Sequence, residues 1–230
     1  METEYSAIPN SPLNSTADEK SPDLTYKDKL LLVKENLIQF MALSIGMLCE
    51  YLTLQSIVTT IAFQNAPFGP RDHYVIYTFV LVIGELLGRS YGMIITCFKP
   101  NIKPYTKHTY IFAIVLAVLM VFFLFESLYR FLPNVWIVLV LMFLVGAFVG
   151  ALYVTAVAVT GENETSTARK EFARAFVLGA TSIGIFVAAL IGLATEPELR
   201  KHCEDVLMAK DLCLTRNVNG WNASLSCRSL

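Results

Sequence analysis

Apolar residues in this chain come in long unbroken runs, not at the spaced positions of a surface helix or strand. Five runs stand out, at 36–63, 73–97, 108–126, 134–160 and 172–194. Each meets or exceeds the roughly 17–25 residues that carry an α-helix across the hydrocarbon core of a bilayer. A β-barrel is excluded, because its strands alternate lipid-facing and inward-facing residues along short segments. The pattern predicts an all-α polytopic helical membrane protein with about five transmembrane helices over residues 36–194. Polar segments flank it at 1–35 and 195–230. Pro9, Pro12 and Pro22, set among Ser, Thr, Asn and Asp, leave no helical period in the first segment, which is expected to be a disordered arm.

Composition sharpens this picture. The chain is 55% hydrophobic and 16% charged, whereas soluble domains carry about 25% charged residues. The charges inside the five runs are Glu50, Glu85, Arg89, Glu126 and Arg174. A net charge of −1 without a basic block argues against nucleic acid as a partner. The lipid bilayer is the expected surrounding. The polar start does not read as a signal peptide, so the first run is expected both to target and to anchor the protein.

Lysines and arginines alternate across the connections. Lys20, Lys27, Lys29 and Lys34 precede the first run, while the next connection has Arg71. Lys99, Lys103 and Lys107 follow, then Arg130, then Arg169 and Lys170. The positive-inside rule therefore predicts a cytosolic N-terminus and a lumenal tail. Cys203, Cys213 and Cys227 in that tail allow one disulfide with one cysteine left over. Asn222-Ala-Ser224 is a sequon that a lumenal tail would expose to glycosylation, whereas those at Asn14 and Asn163 would be cytosolic and silent. In the N-terminal arm, Tyr5-Ser-Ala-Ile8 fits the tyrosine-plus-bulky-apolar sorting pattern, a four-residue match that chance often supplies in polar arms.

Within the runs, small residues recur every four positions: Gly84, Gly88 and Gly92; Gly146 and Gly150; Ala180, Gly184, Ala188 and Gly192. Such faces let helix backbones approach closely, so the spans are expected to form one bundle. Glu50 lies near the middle of the first run, with Tyr51 beside it and Gln55 just over a turn later. A carboxyl at that depth costs several kcal/mol unless protonated, paired or hydrated, so it marks a proton or substrate path, or else a structural hydrogen bond to a neighbouring helix. Glu85 and Arg89 stand in the favourable order for an intrahelical pair, one position beyond the glycine stripe. Arg89 lies about 12 Å from the end of its run. It either binds an anionic group in a cavity or is satisfied by Glu85. Glu126 and Arg174 read as interfacial residues snorkelling from span ends. Tyr153 reads as packing, or as part of the lining of a path.

Phosphate loops, nucleophile elbows and metal-spaced His or Cys pairs are absent. The chain is therefore read as a non-enzyme with no cofactor and no metal.

Five short motifs now fall into order. They are Cys49-Glu50-Tyr51 with Gln55, Gly88-Arg89-Ser90, Phe131-Leu132-Pro133, Gly150-Ala151-Leu152-Tyr153-Val154, and Lys170-Glu171-Phe172-Ala173. In order and spacing they resemble the battenin family of lysosomal membrane proteins, over its C-terminal half, from about residue 28 to residue 194. The resemblance implies one half of a major facilitator fold, a lysosomal or vacuolar location and a role in moving small solutes. Glycerophosphodiesters are the leading class, with amino-acid-type solutes also implied. Glu50 and Arg89 fall on the family's Glu-Tyr and Arg-Ser motifs. Residues 1–27 look like the loop that joins the family's two halves, Thr181 replaces an acidic residue of its last span, and the tail from Glu196 departs from its ending.

Rocking transport needs two bundles, so a second transporter half or a homodimer is the expected partner. A transporter that takes a small-molecule solute past Glu50 and Arg89 is one reading. A non-transporting scaffold that affects organelle pH or vesicle trafficking is the other.

Overall fold

A computed structural model describes residues 24–99, 105, 108–162, 166–207 and 212–215. Among these residues are six α-helices and no strand: α1 (Tyr26–Glu35), α2 (Leu37–Leu52), α3 (His73–Phe98), α4 (Thr109–Tyr129), α5 (Val135–Val159) and α6 (Thr167–Leu207). Five segments are long and apolar enough to span a bilayer: Leu37–Thr60, Pro70–Phe98, Thr109–Tyr129, Val135–Val159 and Thr167–Val206. Each overlaps one of the apolar runs. The chain is a polytopic helical membrane protein. Residues 37, 98, 109, 159 and 167 lie at one end of the bundle, here the near end, and residues 60, 70, 129 and 135 at the far end.

The first span is not α-helical throughout. After Leu52 it becomes a π-helical turn, Thr53–Ile57, and then a 3₁₀ turn, Val58–Thr60. The five β-branched residues Ile57, Val58, Thr59, Thr60 and Ile61 disfavour a return to regular helix after the π turn, since each is stiff at χ1. π turns are rare and recur at functional sites. This one follows directly on Glu50 and Tyr51.

Glycine decides the packing. A Cβ at Gly84 or Gly88 of α3 would strike the backbone of Phe143 or Ala147 on α5, and one at Gly146 or Gly150 of α5 would strike the backbone of Leu81 or Glu85 on α3. Two bare faces thus mate backbone to backbone, as the four-residue spacing predicts. On the opposite side α2 packs against α6, where Gly184 meets the Ser44 carbonyl and Gly192 meets Ser56. Helix α4 packs against both α2 and α5, and α5 is well enclosed, with Val138, Met142, Val149 and Leu152 buried.

Three segments depart from the sequence-based expectation. Helix α1 begins at Tyr26, inside the segment expected to be disordered. Leu32 is buried, Arg169 of α6 reaches Asp28 at 3.5 Å, and Lys29 lies over the Phe172 ring at 5.9 Å. Tertiary contacts supply the order that the local sequence lacks. Helix α6 continues through Pro197 to Leu207, well beyond the apolar run that ends at 194. At 1.5 Å per residue it is about 60 Å long, twice the hydrocarbon thickness. Glu126 does not snorkel. It is fully buried, and its Oε2 accepts a hydrogen bond from the Leu132 N–H at 3.0 Å. Arg174, by contrast, is exposed at the near end.

The far end is closed by a strap. Cys203 on α6 is disulfide-bonded to Cys213. The Thr215 N–H donates to the Thr59 carbonyl at 2.7 Å, and its hydroxyl donates to the carbonyls of Thr59 and Val58. Arg130, in the left-handed conformation at φ 50° after α4, donates to the carbonyls of Thr60, Ala62 and Leu212 and to Cys203 Sγ. Together these groups satisfy carbonyls that the broken end of the first span leaves without helical partners. Burial lowers the pKa of Arg130, against the opposing pull of Glu126 and Tyr77.

Replacing Cys213 by serine opens this short loop and is expected to cost about 2–3 kcal/mol. In detergent that reads as a thermal transition lower by several degrees. An unchanged transition would mean that Arg130 and Thr215 hold the strap without the disulfide.

Candidate solute site

The residues singled out by charge and depth converge midway along the bundle. Glu50 occupies the last full turn of α2 and is 4% exposed, and its Oε2 has no hydrogen-bond partner. Both Glu50 and Tyr51 lie within electrostatic reach of Glu85 and Arg89 on α3. Gly150 makes this approach possible. Without a Cβ there, the α3 backbone at Glu85 and Arg89 lies directly on α5. The glycine seam therefore does more than pack helices, because it sets the depth and rotation of the charged pair.

Glu85 and Arg89 form the expected ion pair one helical turn apart. The guanidinium also lies over the Tyr153 ring, 4.7 Å from its centroid. Tyr153 thus joins the cluster as a platform for the cation. The Arg89 side chain remains 47% exposed and that of Glu85 20%. Arg89 is thus paired with Glu85 while its side chain stays half exposed. Gln55 is half-buried on the π turn, on the far-end side of Glu50. Close by, the Tyr91 and Thr155 hydroxyls hydrogen-bond across the α3–α5 seam. Among the described residues no group of three or more His, Cys, Asp or Glu could hold a metal ion.

Sequence reasoning missed Glu126, Arg130 and His73. Nδ1 of His73 contacts the Gly69 carbonyl and its Nε2 accepts from the Phe63 N–H, under the rings of Phe63, Phe68 and Tyr77. The signal for Glu126 and Arg130 was their spacing of four residues with Glu first, the same order as Glu85 and Arg89. Tyr5, Ile8 and Asn222 lie outside the described residues.

The family model described as CLN3 protein matches residues 2–202. The chain belongs to the CLN3, or battenin, family. It is 31% identical over 166 residues to Protein BTN1 of Saccharomyces cerevisiae, covering 67% of this chain and 38% of that protein. To Protein BTN1 of Yarrowia lipolytica it is 30% identical over 156 residues, covering 65% and 36%. To Battenin of Canis lupus familiaris it is 24% identical over 188 residues, covering 79% and 40%. No solved structure matches the chain.

The chain thus spans about two fifths of the length of these relatives. The family match includes the N-terminal segment 2–27 and stops at residue 202, just short of the disulfide-bonded Cys203. Membership in this family implies a multi-pass protein of the lysosomal or vacuolar membrane.

Proposed function

We propose that this chain supplies one wall of a transport path for small anionic solutes, with glycerophosphodiesters as the leading class and amino-acid-type solutes second. The observation that carries the reading is the charge balance of the cluster. One carboxyl, Glu85, is paired with the Arg89 guanidinium, whose side chain is half open, and a second, Glu50, lies within electrostatic reach of both. While both carboxyls are ionised, Arg89 is fully compensated and an incoming anion is repelled. A proton on Glu50 removes one competitor, so that a phosphodiester can take a place beside Arg89. Proton and solute then enter together by simple electrostatics.

The path needs an opposite wall, either a second copy of the chain or a separately made half. In this reading the N-terminus is cytosolic, as the lysine and arginine alternation supports. The tail with its Cys203–Cys213 disulfide then lies in the lumen, a compartment that lets disulfides persist.

Binding tests the reading at Arg89. A labelled glycerophosphodiester is expected to bind the purified chain. Arg89→Ala should weaken that binding about tenfold or more, equivalent to at least ~1.4 kcal/mol. Glu85→Gln should not weaken it, because the substitution removes a competitor for the guanidinium. Equal affinity of wild type and Arg89→Ala would remove the anion site. The scaffold reading, in which the chain acts through its cytosolic segment, expects neither substitution to matter.

A further inference from the structure

We infer that His73 is an acid-released latch. As a neutral imidazole it pins the connection between the first span and α3 to the far end of the bundle, and a second ring proton frees that connection. The inference deepens the transport reading by giving its path a regulator. It rests on that reading for the step from connection to solute, whereas the latch itself does not.

The connection, residues 61–69, joins the span that carries Glu50 to the helix that carries Glu85 and Arg89. It is not helical, so its backbone groups need partners from elsewhere. Among the described residues three side chains supply them. The Tyr77 hydroxyl donates to the Ile61 carbonyl at 3.2 Å, and Arg130 donates to the Ala62 carbonyl at 3.2 Å. His73 grips both the Phe63 N–H, at 3.1 Å, and the Gly69 carbonyl, at 3.0 Å. One imidazole thus staples two separated points of the connection to the start of α3.

These two partners fix the ring proton. A peptide N–H only donates, so Nε2 must present its lone pair to Phe63. A carbonyl only accepts, so Nδ1 carries the hydrogen toward Gly69. The neutral ring, in that one tautomer, makes both contacts. A proton on Nε2 sets N–H against N–H, and the Phe63 hydrogen bond is lost. His73 is 0% exposed, walled by the rings of Phe63, Phe68 and Tyr77, so the charged ring reaches water only if the connection moves away. Of the three side chains, the imidazole is the one whose charge changes between about pH 5 and 8, since arginine stays charged and a phenol neutral there.

The charged groups around the latch are few. Asp72, exposed beside it, acts on the imidazole from its own segment. The connection 61–69 has no titratable side chain. Glu126 and Arg130, at the end of α4, act on Tyr77, the ring next to His73. In the orientation proposed above the far end faces the lumen, so the latch sits on the side that a lysosome or vacuole acidifies. Its release takes up one proton at the far end of the two helices that hold the charged cluster.

Hydrogen–deuterium exchange of the purified chain in lipid tests the latch without any solute. Protection of the 61–69 amides, corrected for the intrinsic pH dependence of exchange, is expected to be about tenfold lower or more at about pH 5 than at about pH 7.5. His73→Gln, whose side-chain oxygen can accept from the Phe63 N–H at either pH, should stay protected at both. The α3–α5 seam around Gly146 and Gly150 should keep its protection throughout, which separates local release from unfolding. A second measurement needs no variant at the latch. The carbon-13 ring signal of His73, assigned in a chain whose His108 and His202 are replaced by glutamine, should titrate with the same midpoint as the loss of protection.

Equal protection of 61–69 at both pH values in the wild-type chain would overturn the latch. So would an acid loss of the same size in His73→Gln, or a ring midpoint that differs from the release midpoint, because another group would then be the trigger. Acid release through His73 in a chain that binds no glycerophosphodiester would sink the transport reading and leave the latch standing.

Discussion

Replacing Gly88 by leucine is expected to remove the folded bundle from the membrane, with monodisperse protein falling about tenfold or more in detergent size-exclusion profiles. The reason is geometric. A side chain at Gly88 would meet the carbonyl, carbonyl carbon and Cα of Ala147, which are backbone atoms with no rotamer to change. The helices would have to separate, and the reciprocal contacts of Gly146 and Gly150 with the α3 backbone would open with them. In lipid no hydrophobic effect draws the helices back together, so lost close packing is not recovered elsewhere. Gly179→Leu is the matched control, because nothing lies within 4 Å of a Cβ at that position. Equal yields of the two variants would contradict the packing account.

Much of this architecture was legible in the sequence, and the reasons are specific. Long apolar runs have few physical solutions, because every backbone N–H and C=O in the hydrocarbon region must be paired within the chain. The runs therefore mark the spans. The four-residue glycine rows marked which faces meet, and depth alone marked Glu50 and the Glu85–Arg89 pair. What stayed hidden depends on contacts between distant segments. Glu126 reads as a span-end carboxylate until the turn after α4 folds back and brings the Leu132 N–H to it. Arg130 looks like a lone loop charge until the end of the first span and the strap bring three carbonyls to it. Helix α1 has no apolar run of its own and is ordered through α6. Tyr153 reads as packing because its role comes from the guanidinium that α3 lays over its ring.

The second large effect is expected at Glu50. Glu50→Gln keeps the size and shape of the side chain and removes its ability to carry a charge or lose a proton. Glu50 is buried with one oxygen unpartnered, so losing the charged form removes a desolvation cost. Abundance and thermal stability should therefore hold or rise. Transport should fall tenfold or more, because the exchange of Glu50 and solute for Arg89 no longer responds to a proton, a contribution of roughly 10²–10⁴ for positioned proton-transfer groups. A structural carboxyl gives the opposite pattern, in which abundance falls and the activity of each surviving molecule is unchanged.

The most direct test of a Glu50-centred solute path is clearance in the organelle itself. This chain and its Glu50→Gln variant are expressed at equal levels in cells lacking battenin, and glycerophosphodiesters are quantified in purified lysosomes. Clearance by the wild-type chain, lost in Glu50→Gln at unchanged abundance, is the predicted result. Equal clearance by both, or accumulation unchanged by a wild-type chain that reaches lysosomes, contradicts the proposal that this bundle carries solute past Glu50.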